Sequence, residues 1–271
     1  MSLIQRLSFN QITADPWSLE QVVKNCAKSD IGTIAVWRHK LDGDAGKASQ
    51  LIRSEGLRVS SLCRGGGFSA PSAEERKERI ADNRVAIEQA ATLGAPVLVI
   101  VSGPPNGQTL NDARATVLDG LREVLPDAEK AGILLGIEPL HPMYAAERSV
   151  VVTLKQANEM VEQLASPAVG IVVDAYHVWW DPDLGEQLDR ARGKIVGFHV
   201  SDWPVPLPGI LMGRAMMGDG VIELRKLRQA VDATGYAGPI EVEIFNDVVW
   251  KMREDEVLEI IQSRFLEHVD G

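Results

Sequence analysis

Eight times along the 271-residue chain, a short apolar run is followed by a segment with helical periodicity, and no other feature restricts the fold as tightly. The runs fall at 7–10, 33–37, 57–63, 97–101, 133–140, 169–174, 195–200 and 239–245. Helical patterns fill 18–28, 45–55, 72–93, 110–130, 153–164, 184–192, 222–234 and 254–268, with Pro126 placed to kink the fourth. Runs that are apolar throughout suit strands buried on both faces, and their alternation with helices makes a parallel sheet covered outside by helices. Eight such units in a chain of this length predict an α/β protein, a single (β/α)8 TIM barrel occupying 1–271 as one domain. An open doubly wound sheet is the other arrangement that alternation allows. Gly65-Gly66-Gly67, in an expected loop 64–67 after the third run, lacks the G-x-G-x-x-G spacing and first-strand position of a dinucleotide site.

Four runs end badly for a hydrophobic core. ILLGIEPL carries Glu138, GIVVD closes on Asp174, IVGFH on His199, and IEVEIF carries Glu243. A carboxylate closing a buried strand is costly unless something pairs with it. In a barrel, the C-terminal ends of strands form the reactive face. Strands five to eight are neighbours there, so the four side chains are expected to meet. Side-chain alternation points Glu138 the same way as Gly136 and Leu134, and His199 the same way as Gly197. Three carboxylates and one imidazole, with no thiolate, suit one divalent ion, Mn²⁺ first and Mg²⁺, Co²⁺ or Zn²⁺ after it, with positions left for substrate oxygens.

Composition narrows the partners. The formal charge of −10 argues against duplex nucleic acid, and no Lys/Arg cluster is visible on the expected site. Cys26 and Cys63 form no disulfide framework or zinc-finger spacing, and two free thiols fit a reducing compartment. The start MSLIQRLSFN lacks a signal-peptide core and no run approaches a membrane span, so a cytoplasmic protein without a membrane partner is expected. Trp37, Trp179, Trp180, Trp203 and Trp250 fall just after predicted strands, where indoles stack on the C–H face of a sugar or cyclitol and exclude water. Trp17 is expected in the core, His39 and His268 as ordinary surface or packing residues, and Asn10, Arg38 and Arg64 on the rim.

The segments Asp174-Ala175-Tyr176-His177, Phe198-His199-Val200-Ser201-Asp202, RAMMGDG at 214–220 and Glu241-Val242-Glu243-Ile244-Phe245 resemble the xylose-isomerase-like sugar isomerase/epimerase superfamily, with inosose isomerase and the ketose 3-epimerases nearest. The resemblance runs from Ser8-Phe9-Asn10 to the final helix. It implies one divalent ion bound by Glu138, Asp174, His199 and Glu243, and proton transfer through a metal-bound enediolate with Glu138 and Glu243 as the acid/base pair. The logic is general: a proton α to a carbonyl is too weakly acidic for a carboxylate unless the developing charge is stabilised, and a base on each face allows removal and return. The resemblance further implies that His177, on a loop at the mouth, and Arg214 hold substrate; by their placement on the reactive side, Trp37, Trp203, Asn10 and His141 are expected as further contacts. Met217-Gly218-Asp219-Gly220 departs from the usual Pro-Gly-x-Gly. Similar barrels are homodimers or homotetramers.

Three other readings compete. A lyase acting on a 3-keto glycoside or keto-inositol begins with the same proton abstraction, and as a deglycosidase subunit it would have a hetero-oligomeric partner. A sugar-binding barrel without catalysis would not need both glutamates. Endonuclease IV shares the ligand order but adds an Asp-x-His pair where this chain has Met212-Gly213-Arg214, and the acidic charge disfavours DNA.

Overall fold

The structure, a computed structural model, describes residues 3–41 and 43–270. Eight parallel strands close on themselves in sequence order: β1 Leu7–Asn10, β2 Thr33–Trp37, β3 Arg58–Gly66, β4 Val97–Val101, β5 Leu134–Ile137, β6 Val169–Asp174, β7 Ile195–Val200 and β8 Ile240–Val242. Pairing of β1 with β8 completes the cylinder and excludes the open sheet. The helices are α1 Leu19–Lys28, α2 Ala45–Ser54, α3 Ala73–Leu93, α4 Leu110–Ala131, α5 Leu154–Leu164, α6 Ala175–Val178, α7 Leu184–Arg190, α8 Leu224–Ala233 and α9 Glu254–Phe265. Among the described residues no helix is long and apolar enough to cross a membrane.

Local chemistry sets the helix starts. Ser18, Ser72, Thr109 and Thr153 each accept the N–H three residues on, and Ser18 with Gln21 forms a reciprocal capping box. α4 runs on through Pro126.

The barrel interior is plugged by Val97, Val99, Val172 and Cys63, with Leu134 and Val196 packed against them. Gly136 and Gly197 make room: a Cβ on Gly136 would lie 2.7 Å from Val172 Cγ2, and one on Gly197 3.1 Å from the same atom. Glu138 and His199 follow those inward glycines by two residues, so alternation along the strand turns them inward as well. β7 carries one extra residue against β6, so that Val172 pairs with Gly197 and Asp174 comes level with His199.

β3 runs further than its apolar pattern, taking in Gly65 and Gly66 where a loop was expected. Gly66 has φ +105°, and a Cβ there would sit 1.9 Å from the Val101 carbonyl oxygen. Only a bare backbone can lie so close to β4. Gly66→Ala is expected to cost about 3 kcal/mol or more from strain and overpacking. At roughly 2–4 °C per kcal/mol for a chain of this size, thermal unfolding should show a Tm lower by at least about 6 °C.

Candidate active site

Glu138 and Glu243 each stand one residue beyond the paired part of a strand. Pro139 ends β5, yet Glu138 N–H still reaches the Ile100 carbonyl at 3.0 Å, and Glu243 N–H reaches that of Val200 at 3.1 Å. Asp174 is the last residue of β6 and caps α6 by accepting the Tyr176 N–H at 2.9 Å. His199 lies in β7 beside it. All four are buried, and one ligand atom from each falls within 4.8 Å of all the others. Glu138 Oε1 and His199 Nδ1 find no hydrogen-bond partner among the described residues, an arrangement that a cation would satisfy. The donor set thus fits a divalent ion.

Arg214 supplies the fixed positive charge. Its Nη1 donates to Asp174 Oδ2 at 2.7 Å and Glu243 Oε2 at 3.0 Å, while Nη2 lies 3.1 Å from His177 Nε2. The guanidinium is clamped between the rings of Tyr176 and Phe245, 4.8 and 5.2 Å from their centroids. Stacked and doubly bonded, it is held ready before any ligand arrives.

These surroundings push the two acids apart. Burial raises the Asp174 carboxyl to about 7 even with Arg214 beside it. Burial acts on Glu243 in the same sense, but Arg214 and His199 together outweigh it and hold that carboxyl at about 2. Glu243 is therefore ionised throughout the neutral range.

A fifth acid completes the cluster. Glu241 Oε2 lies 3.2 Å from His199 Nε2, while His199 Nδ1 faces Glu138 Oε1 at 3.2 Å and Glu243 Oε2 at 3.6 Å. The charge of Glu241 beside one imidazole nitrogen raises the basicity of the ring. Asn10 Nδ2 donates to both Glu241 and Glu243, at 3.1 and 3.2 Å, and its Oδ1 accepts from the Trp37 indole at 2.8 Å. Glu241→Gln is expected to weaken metal affinity about 10–100-fold, measured by competition with a chelating dye.

A pocket opens above the cluster. Its walls include Glu138, Glu243, His177, Arg214 and Trp37, with Val99, Leu140, Tyr144 and Phe245 as apolar lining. His177 is not on an open loop; it sits buried in α6, because the Asp174 cap turns the chain back into the barrel mouth. Asn10 is wholly buried below the pocket and spent on the acids. Trp203 and His141 lie one layer out, stacked on each other with centroids 4.9 Å apart, Trp203 also against Tyr176. Trp250 donates to the Ile12 carbonyl, and Trp17 stacks on Phe9 in the core. The absence of a basic cluster read from the sequence is corrected: Arg64, Arg148 and Arg214, from three separate segments, line this one pocket.

A family model described as xylose isomerase-like TIM barrel matches residues 23–266. The chain belongs to that family. Within this xylose isomerase-like family, L-ribulose-5-phosphate 3-epimerase UlaE of Shigella sonnei is 26% identical over 219 residues, 79% of this chain and 72% of that protein. Protein SMc04130 of Sinorhizobium meliloti 1021 is 43% identical, with a TM-score of 0.96 over 99% of this chain and 100% of that one. The IOLI protein, solved with a bound zinc atom, is 23% identical with a TM-score of 0.86 over 97% of each chain, a likeness of fold.

Among the residues this xylose isomerase-like barrel brings to its site, the sequence argument assigned no role to Glu241, Tyr144 or Arg148. Glu241 was within reach: it precedes Glu243 by two in a strand, so both must face inward together. Tyr144 and Arg148 sit in the connection after β5, where no periodicity marks a direction.

Proposed function

We propose that the protein is a divalent-metal-dependent isomerase or epimerase of a keto-sugar or keto-cyclitol, with Glu138 and Glu243 exchanging the proton α to the carbonyl. The observation that carries this reading is the meeting of four ligand atoms within 4.8 Å at the floor of a pocket that Arg214, His177 and Trp37 also line. The epimerase name of the UlaE relative and the zinc in the IOLI protein support it.

Glu138, Asp174, His199 and Glu243 would hold the ion, which supplies a Lewis acid for adjacent carbonyl and hydroxyl oxygens. A carboxylate held at about 2 is a weak base, so Glu243 works only on a proton made acidic by charge withdrawn at the carbonyl. Arg214 keeps that carboxylate ionised and presents its remaining donors to a substrate oxygen. His177, locked against Arg214, would orient a neighbouring hydroxyl. Trp37, Phe245 and Val99 exclude water from the reacting face.

The same abstraction would serve a lyase. Incubation with Mn²⁺ in D₂O with an inosose, ketohexoses and a 3-keto glycoside separates the two. Deuterium appearing in an isomer or epimer is the expected result; a released aglycone or a dehydrated product assigns the lyase. Tight sugar binding without α-proton exchange would leave a binding barrel.

A further inference from the structure

The pocket continues outward, past Arg64, Val101 and Arg148, into a groove bordered by Gly65, Gly66, Gly67, Gly103 and Arg79. Charge in this groove is unevenly spent. Arg38 is committed to Asp82, at 2.8 and 2.9 Å, and to Gln89. Arg214 is committed to Asp174 and Glu243. Arg64 and Arg148 form no ion pair with a carboxylate among the described residues, although Glu147 borders the same groove, and Arg148 feels the like charge of Arg64. Exposed Arg64 and half-buried Arg148 thus leave on one groove a like-charge repulsion that an anion between them would relieve.

Arg148 is held in place for such a role. Its guanidinium lies over the Tyr144 ring, 5.6 Å from the centroid, and Tyr144 in turn donates to the Ile210 carbonyl at 2.5 Å. The chain just after it is pinned to the end of β4: Val150 N–H reaches the Gly103 carbonyl at 3.0 Å, and Ser102 and Ser149 share a hydrogen bond of 2.8 Å. The glycine tract does not compete for the anion. Gly66 N–H is spent on Asn83 Oδ1 and Gly67 N–H on the Val101 carbonyl, so the side chains alone supply donors.

Resting on the isomerase or epimerase reading of the pocket, we propose that its substrate carries a phosphomonoester at the end remote from the reacting carbonyl, held by Arg64 and Arg148. A phosphate of charge about −2 balances two guanidinium groups and offers each a pair of acceptor oxygens. The acidic total charge of the chain makes this local excess of positive charge the more selective.

The test compares kcat/KM for a neutral ketose, its terminal phosphate and its terminal carboxylate analogue, on the metal-loaded wild type and on an Arg64→Gln/Arg148→Gln variant. The phosphate is expected to be favoured over the neutral ketose about 100-fold or more, about tenfold for each charge-assisted contact. In the double variant that ratio should fall to near one. Inorganic sulfate, a dianion with little affinity for the metal, should bind the wild type at millimolar concentration by calorimetry and the double variant at least tenfold more weakly. A ratio near one in the wild type, or sulfate binding kept by the double variant, overturns the anion site. Preference for the carboxylate overturns the phosphomonoester assignment. Sulfate binding lost in the double variant, with no proton exchange on any substrate, upholds the anion site and removes the isomerase reading instead.

Discussion

Glu243→Gln is expected to lower the rate of α-proton exchange about 10³–10⁴-fold, the upper range for loss of a positioned acid/base group. The amide keeps the shape of the side chain and its contact with Asn10, but it can neither take the proton nor balance Arg214. Deuterium uptake followed by NMR, beside a thermal melt to establish that the variant folds, reads the effect. Loss of the low-lying carboxylate should also weaken metal binding, so exchange is measured across a metal titration. Exchange within about tenfold of wild type at saturating metal would remove Glu243 as the base, since a true acid/base group contributes at least about 10²-fold.

The second large effect concerns stability. Adding Mn²⁺ or Zn²⁺ to metal-free protein at a hundred times its dissociation constant should stabilise the fold by about 2.7 kcal/mol. For a chain of this size that is roughly 5–10 °C in Tm. His199→Gln should abolish the shift, because the amide cannot present a nitrogen lone pair where His199 Nδ1 faces Glu138 and Glu243. The same shift in the variant would place the ion elsewhere. Metal-free protein is expected to fold, since Arg214 and the imidazole of His199 already offset part of the acidic charge. For His199, burial opposes the imidazolium, but Glu241, Glu138 and Glu243 prevail and raise its pKa well above the ordinary value.

The barrel was legible because most strands are continuous apolar runs and α1, α3, α4 and α5 begin on a hydroxyl cap; these are local signals. Glu138, Asp174, His199 and Glu243 were legible for the opposite reason, as polar residues where the pattern demands apolar ones. The arginine pair was not. Arg64 lies near the end of β3 and Arg148 follows β5, and only closure of the cylinder brings them to one groove. His177 was placed at the mouth but left in the open, since nothing in its neighbourhood announces that Asp174 would wind the next residues into a buried turn. The indoles were assigned to the correct end of the barrel, yet Trp37 alone of the five lines the pocket, and stacking among Trp179, Trp203 and Tyr176 takes up two of the others.

The valine plug beneath the acids has one more effect. Val97, Val172 and Val196 fill the cylinder so closely that glycine stands opposite them, which closes the way to the site from below. On the proposed reading, ion and substrate would enter from the pocket side in turn, the ion first, and a seated substrate would block its way out. Chelators should therefore strip the metal slowly from protein saturated with substrate and quickly from protein without it.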